Sequence, residues 1–312
     1  MCKRGEKIMI ELNNITKKFG RFTAVDNLSL KVGEGQIFGF VGENGAGKTT
    51  VMKIIVGLLR ATSGSVTICG SNILTNPREV KKNIGYMPDF FGVYDDLKVT
   101  EYMDFYCGIH KIPSHSRKPV VDKLLELVNL SDKKNFYVDN LSRGMKQRLC
   151  LSRSLIHDPK LLILDEPASG LDPRARVEMK EILKALKNMG KTVLISSHIL
   201  PELSELCTSI GMISKGKMVI SGTVDGMLKR ISHNKKLRIR VLGEQDLAVR
   251  ILKENPDMGN ISILNDFIEA DFNQDEEKMA QVLKSLVNAN IPVVSFSTTS
   301  GNLETLFMNI TA

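Results

Sequence analysis

Hydrophobic and polar positions divide the chain into short apolar runs separated by longer amphipathic stretches. Gln36–Val41 reads as an apolar strand, followed by a glycine-rich loop and a helix over roughly Thr49–Leu59. Lys98–Lys111 reads as an aromatic-rich helix. Arg117–Leu130 is amphipathic, with Val120, Val121, Leu124, Leu125, Leu127 and Val128 at helical spacing and Pro119 suited to a first turn. Ser142–His157 is a further helix, closed by Asp158 and Pro159. Leu161–Leu164 is unbroken apolar sequence, the mark of a strand buried on both faces. Asp172 caps the next helix, Pro173 opens it and Gly190 ends it. Thr192–Ser197 is another strand, and Ser209–Ser221 a hairpin turning at Lys215 and Gly216. Strands alternating with helices predict a mostly parallel α/β sheet covered on both faces, with ligands at the strands' C-terminal ends.

Past residue 222 the rhythm changes. Leu237–Val241, Ile261–Leu264, Phe267–Asp271 and Val293–Ser297 read as strands, Gln245–Lys253 and Glu276–Asn288 as helices. The order βαββαβ predicts a small α+β domain of ferredoxin-like type. A last amphipathic helix is expected over Asn302–Ile310. The domains are therefore placed at 9–222, with a helical subdomain near 90–158, and at 223–312, an accessory or dimerisation domain.

Composition narrows the class. The chain has 312 residues, of which 42% are hydrophobic and 25% charged, ordinary values for a folded protein. No apolar run approaches the roughly 20 residues that span a bilayer, and the N-terminus lacks a signal-peptide core. Five scattered cysteines form no CxxC pair, which argues against a disulfide framework or a zinc site and fits a reducing cytosol. The net charge is +8. Residues 223–312 carry 10 Lys and Arg against 12 Asp and Glu, so the excess positive charge lies in the first part. Such a balance suits nucleic acid, an anionic membrane or a phosphate ligand, or has no specific meaning.

The strongest chemical signal is Gly42-Glu43-Asn44-Gly45-Ala46-Gly47-Lys48-Thr49-Thr50, which matches G-x-x-x-x-G-K-[ST]. Phosphates need converging backbone N–H donors, and glycines let the chain approach them. The helix opening near Lys48 points its positive end at the anion. Lys48 supplies charge to the β- and γ-phosphates, and the Thr49 hydroxyl is a ligand for Mg²⁺. The second signal is Leu161–Leu164 followed by Asp165 and Glu166, two carboxylates at a strand's ligand end. Alone, such a pair is an ordinary solvated loop entry; beside a phosphate loop, Asp165 becomes a Mg²⁺ ligand and Glu166 the residue that polarises water. The third is Leu141-Ser142-Arg143-Gly144-Met145, either a plain serine cap or a second phosphate clamp.

In order and in kind, these motifs over residues 9–222 resemble the nucleotide-binding domain of ABC transporters. Phe19 sits at the position of the adenine-stacking aromatic. Gly42–Thr50 resembles Walker A, with Gly42, Asn44, Gly45, Ala46, Gly47, Lys48, Thr49 and Thr50 around the phosphates. Leu141–Met145 resembles the signature motif, Leu161–Glu166 Walker B with the catalytic Glu, Ser169–Asp172 the D-loop, and His198 the switch histidine. Asn302–Phe307 resembles the tail of ABC-2, export-associated ATPases. Two departures stand out. Asp89 follows Ile84-Gly85-Tyr86-Met87-Pro88 where the family has Gln, and is carried over as a metal-contacting residue; Arg143 and Met145 replace a Gly and a Gln. The resemblance implies a P-loop NTPase that uses ATP and Mg²⁺, catalysis by Glu166, His198 and Lys48, and metal contacts from Thr49, Asp89 and Asp165. It implies a head-to-tail homodimer or heterodimer in which Ser142 and Gly144 act on the partner's ATP. It further implies a separate transmembrane permease subunit, export, and a place on the cytoplasmic face of the membrane. In the family, Phe90–Tyr94 lies near the groove for the membrane subunit; the alternative is that these residues pack the helical subdomain. The competing function is a soluble ABC ATPase acting on ribosome or nucleic acid, disfavoured by a single Walker A; no nucleic-acid partner is expected.

Overall fold

Two strands of 12 residues, β1 (Ile8–Phe19) and β2 (Phe22–Gly33), open the computed structural model, which describes residues 7–90, 92–232, 235–272 and 274–300. They pair antiparallel, with β-bulges that interrupt the alternation of faces. The chain then runs through β3 (Ile37–Val41), α1 (Lys48–Ile55), β4 (Ser63–Ile68), β5 (Ser71–Asn72), α2 (Pro77–Lys82) and β6 (Ile84–Met87). Three helices come next, α3 (Val99–Ile109), α4 (Ser114–Leu127) and α5 (Arg143–Ser154), then β7 (Leu161–Leu164), α6 (Pro173–Asn188), β8 (Thr192–Ser197), α7 (Leu200–Ser204), β9 (Ser209–Ser214) and β10 (Lys217–Thr223).

These elements make one unit, ending at Thr223. Its antiparallel sheet has the order β2-β1-β4-β5 and its second sheet the order β10-β9-β3-β8-β7-β6. In the second sheet β9, β3, β8, β7 and β6 are parallel neighbours, and only β10 runs antiparallel. Strands β3, β7 and β8 are buried along their whole length, as strands covered on both faces must be. The core joins both sheets: Ile10, Leu28 and Ile68 belong to one cluster with Phe40, Met52, Ile163 and Leu194.

The second unit begins at Val224. It comprises α8 (Val224–Ser232), β11 (Lys235–Val241), α9 (Gln245–Glu254), β12 (Ile261–Leu264), β13 (Phe267–Asp271), α10 (Glu276–Asn288) and β14 (Val293–Ser300). The sheet order β12-β13-β11-β14, all antiparallel, is the ferredoxin-like arrangement. Leu237, Ile239 and Ile268 pack on Ala248 and Leu252 of α9 and on Val282 and Leu286 of α10, a core of their own. The expected helix over Asn302–Ile310 lies outside the described residues.

One expectation is corrected. Pro119 does not open its helix: α4 starts five residues earlier, at Ser114, so Pro119 lies inside it. Pro113 in extended conformation supplies the helix start, and Pro119 leaves the carbonyl of His115 without its intrahelical donor. Among the described residues no helix is long and apolar enough to cross a membrane, and Cys69, Cys107, Cys150 and Cys207 are free thiols.

Candidate functional site

Parallel strands bring their C-terminal ends side by side. Val41 at the end of β3 pairs with Ser197 at the end of β8, and Leu164 at the end of β7 pairs with Met87 of β6 and Ile195 of β8. The segments leaving these strands therefore meet at one edge: the loop 42–47 after β3, Asp89 after β6, Asp165 and Glu166 after β7, and His198 after β8.

The loop ends in Gly47, the N-cap of α1, with φ +108°. A Cβ there would lie 2.7 Å from the carbonyl oxygen of Ala24, so conformation and space both require glycine. Lys48 is buried. Its Nζ donates to the carbonyls of Gly42 at 2.7 Å and Glu43 at 3.2 Å, and forms an ion pair with Glu166 Oε1 at 3.2 Å. Ala46 faces inward, and its carbonyl accepts the N–H of Gly216.

Asp165 is fully buried. Its Oδ1 accepts the Ser196 hydroxyl at 2.7 Å, and the same hydroxyl oxygen accepts the N–H of Glu166 at 2.9 Å. Burial pushes the Asp165 carboxyl above its ordinary value. The hydroxyls of Ser196 and Thr49 pull it back, while the charges of Asp89 and Glu166 push it further up. Glu166 takes a left-handed φ of +50°, and its Oε2 lies 2.9 Å from His198 Nδ1.

A cavity of about 350 Å³ opens over this edge. It is lined by the exposed Phe19 and Phe22, by Asn44, Gly45, Lys48, Thr49 and Thr50, and by Asp89 and Glu166. Lys17 Nζ stands 4.9 Å from the centre of the Phe19 ring. Ser142 and Gly144 are not in the cavity's lining. Ser142 caps α5, its Oγ accepting the N–H of Met145 at 3.3 Å. Gly144 is buried against α6, where an added Cβ would lie 2.9 Å from Ala175 Cβ. Gln147 of the same helix donates to the carbonyl of Ser169 at 3.1 Å and so fastens α5 to the 169–172 loop.

The donor set fits a small hard cation. Asp165 Oδ2 is buried without a hydrogen-bond partner, and the Thr49 hydroxyl is close enough to favour the charged form of that carboxyl. Among the described residues no cluster of three or more His, Cys, Asp or Glu forms a metal cage. That combination suits Mg²⁺, which takes one or two protein oxygens and completes its shell with phosphate and water.

Ser196 and Phe22 carry no motif by which the sequence alone would single them out. A serine inside a fully buried strand, two residues before a histidine, is the one signal available for the first. Phe90 and Tyr94 are exposed, and Tyr94 stacks edge-on to Phe105 at 5.4 Å; Phe91 lies outside the described residues.

The ABC transporter family model matches residues 25–169. The bacitracin transport ATP-binding protein BcrA of Bacillus licheniformis is 34% identical over 97% of this chain and 97% of its own length. The linearmycin resistance ATP-binding protein LnrL of Bacillus subtilis is 30% identical over 97% of this chain and 98% of its own. Nod factor export ATP-binding protein I of Burkholderia pseudomallei is 36% identical over 68% of this chain and 70% of its own. Among solved structures, a dimeric ATP-binding cassette in a post-hydrolysis state with ADP and phosphate superposes with a TM-score of 0.63. It is 25% identical, over 69% of this chain and 99% of that one.

Proposed function

The chain belongs to the ABC transporter family and is an ATP-hydrolysing subunit of it, and from that premise we propose how its residues divide the work. Phe19 stacks on the adenine. The backbone of Gly42, Asn44, Gly45, Ala46 and Gly47, with Thr50, cradles the phosphates at the positive end of α1. Lys48 carries its buried charge to the β- and γ-phosphates. Thr49, Asp165 and Asp89 would hold Mg²⁺, which would supply positive charge to the phosphates. Glu166 takes the proton of the attacking water, worth roughly 10²–10⁴-fold in rate. His198, bonded to Glu166 Oε2, turns its ring toward the γ-phosphate.

Two copies face each other head to tail, with Ser142 and Gly144 of one completing the site of the other. The observation supporting this is that neither residue lines the cavity of its own chain. The motion of closing and reopening drives a separate transmembrane permease subunit, and the chain sits peripherally on the cytoplasmic face of the membrane. The exposed aromatics Phe90, Tyr94 and Phe105 offer the permease a contact surface. Export is the direction supported by relatives named for bacitracin transport, linearmycin resistance and Nod factor export. The same names disfavour action on ribosomes or nucleic acid.

The observation that carries the assignment of the base is Glu166 itself, held between Lys48 and His198 in the lining of the cavity. Glu166→Gln keeps the shape and removes the base. Steady-state hydrolysis should vanish, and ATP should drive a stable dimer visible by light scattering. Normal turnover by this variant would show that another group takes the proton.

A further inference from the structure

A connection outside the recognised motifs joins two parts of the site. Arg176 lies in the first turn of α6, whose start is fixed by Pro173 and by Asp172 Oδ1 accepting the N–H of Ala175 at 2.9 Å. The Arg176 Nε donates to the carbonyl of Leu171 at 3.0 Å, and its Nη1 pairs with Glu202 Oε1 at 3.1 Å. Leu171 belongs to the 169–172 loop. Glu202 belongs to α7, four residues after His198. One planar guanidinium therefore ties the loop to the helix that comes after the histidine.

Both ends of this tie lead to chemistry. The loop is fastened to α5 by Gln147 at Ser169, and Leu171 reaches the surface of Gly144, where an added Cβ would be 3.4 Å from its Cδ2. At the other end α7 comes directly after β8, whose terminus carries Ser196, and His198 stands between them at 2.9 Å from Glu166. A small space remains beside this tie. Pro167, Ala168, Ser197 and Leu203 border a cavity of about 20 Å³ beside Arg176, which is room for one water.

We propose that Arg176 is a positioning residue that couples the 169–172 loop, and through it the signature segment Ser142–Gly144, to His198. This rests on the proposed roles of Ser142 at the partner's ATP and of His198 at the γ-phosphate of its own. When the partner's nucleotide engages Ser142, the shift of α5 and the loop moves the Leu171 carbonyl. Arg176 passes that shift to Glu202, and α7 carries it to His198. The fork of the guanidinium serves both partners at once, which an ammonium on a flexible stem does not.

The test is steady-state ATP hydrolysis by the full-length chain carrying Arg176→Met, Arg176→Lys, Glu202→Gln, His198→Ala, or Arg176→Met with His198→Ala. Arg176→Met and Glu202→Gln should each lower kcat about tenfold with KM changed by less than about twofold, and Arg176→Lys should restore only part of the loss. In the double variant the loss should be no greater than that of His198→Ala alone, because residues acting through one group are not additive. Losses that multiply, or full activity of Arg176→Lys, would overturn the coupling. Normal hydrolysis by His198→Ala would instead refute the role given to the histidine. Loss in His198→Ala with none in Arg176→Met or Glu202→Gln would refute the coupling alone.

Discussion

Glu166 stands at φ +50°, a conformation that costs a non-glycine residue roughly 1–3 kcal/mol, and the hydroxyl of Ser196 holds it there through the Glu166 N–H. The same hydroxyl donates its single proton to Asp165, so one serine orients both carboxylates. The motif residues are readable because phosphate and metal chemistry admits few side-chain types at fixed spacing. Ser196 is not, because its role depends on β8 lying beside β7, and adjacency of strands 30 residues apart in sequence leaves no local trace. Asp89 is the residue whose exchange is most informative. It adds negative charge near Asp165 and Glu166. Asp89→Gln should tighten ATP binding in the absence of Mg²⁺ and raise the Mg²⁺ concentration for half-maximal hydrolysis, each by about twofold or more. Equal Mg²⁺ titrations of the two proteins would remove Asp89 from the metal's surroundings. A histidine pair ties stability to pH. His157 Nε2–H donates to the carbonyl of Ile84 at 2.9 Å, its Nδ1 is buried without a partner, and its ring stacks on His110 at 4.3 Å. Burial lowers the pKa of both rings, His110 also through His157 and His157 also through Lys191, while the Ile84 bond and Asp158 oppose the shift in His157. A lowered histidine value means that the unfolded chain binds the proton first. Stability from this pair is complete above about 6.5 and lost as pH falls below it. Tm should decline from pH 7 to pH 5, and His157→Gln should flatten that decline.

The recognisable elements are those with one simple environment. β3, β7 and β8 are buried on both faces, and β7 carries unbroken apolar sequence; α6 carries a cap, an opening proline and a closing glycine. β1 and β2 escape recognition because their bulges, with Asn14 and Asn27 both at φ +50°, break the period of two by which a strand is recognised. Pro119 misleads for a related reason: position within a helix is set by where the helix begins, and Pro113 begins it early. The contact between α5 and α6 is open to a direct test. Gly144→Ala would place a methyl 2.9 Å from the Cβ of Ala175, which is fixed to the α6 backbone. The helices must separate, at a cost of about 1–3 kcal/mol. A thermal melt should show the lower Tm, and hydrolysis should fall with it; an unchanged Tm would mean that α5 moves freely.

The two units have separate cores, and every residue of the nucleotide cavity precedes Val224. Residues 1–223 expressed alone should therefore melt cooperatively and bind ATP with a Kd within about twofold of the full chain, since large apolar burial is retained. An unfolded or non-binding product would show that the second unit completes the first. The order β3-β8-β7-β6 has a further effect, on the birth of the protein. The phosphate loop leaves the ribosome early, but the strand that seats it between Val41 and Leu164 is β8, about 155 residues later. Contacts so distant along the chain are among the slowest to form. A nascent chain carrying the whole phosphate loop and both carboxylates still has no nucleotide pocket. ATP can stabilise only a chain already grown past Ser197, so it acts on the end of folding and not on its beginning.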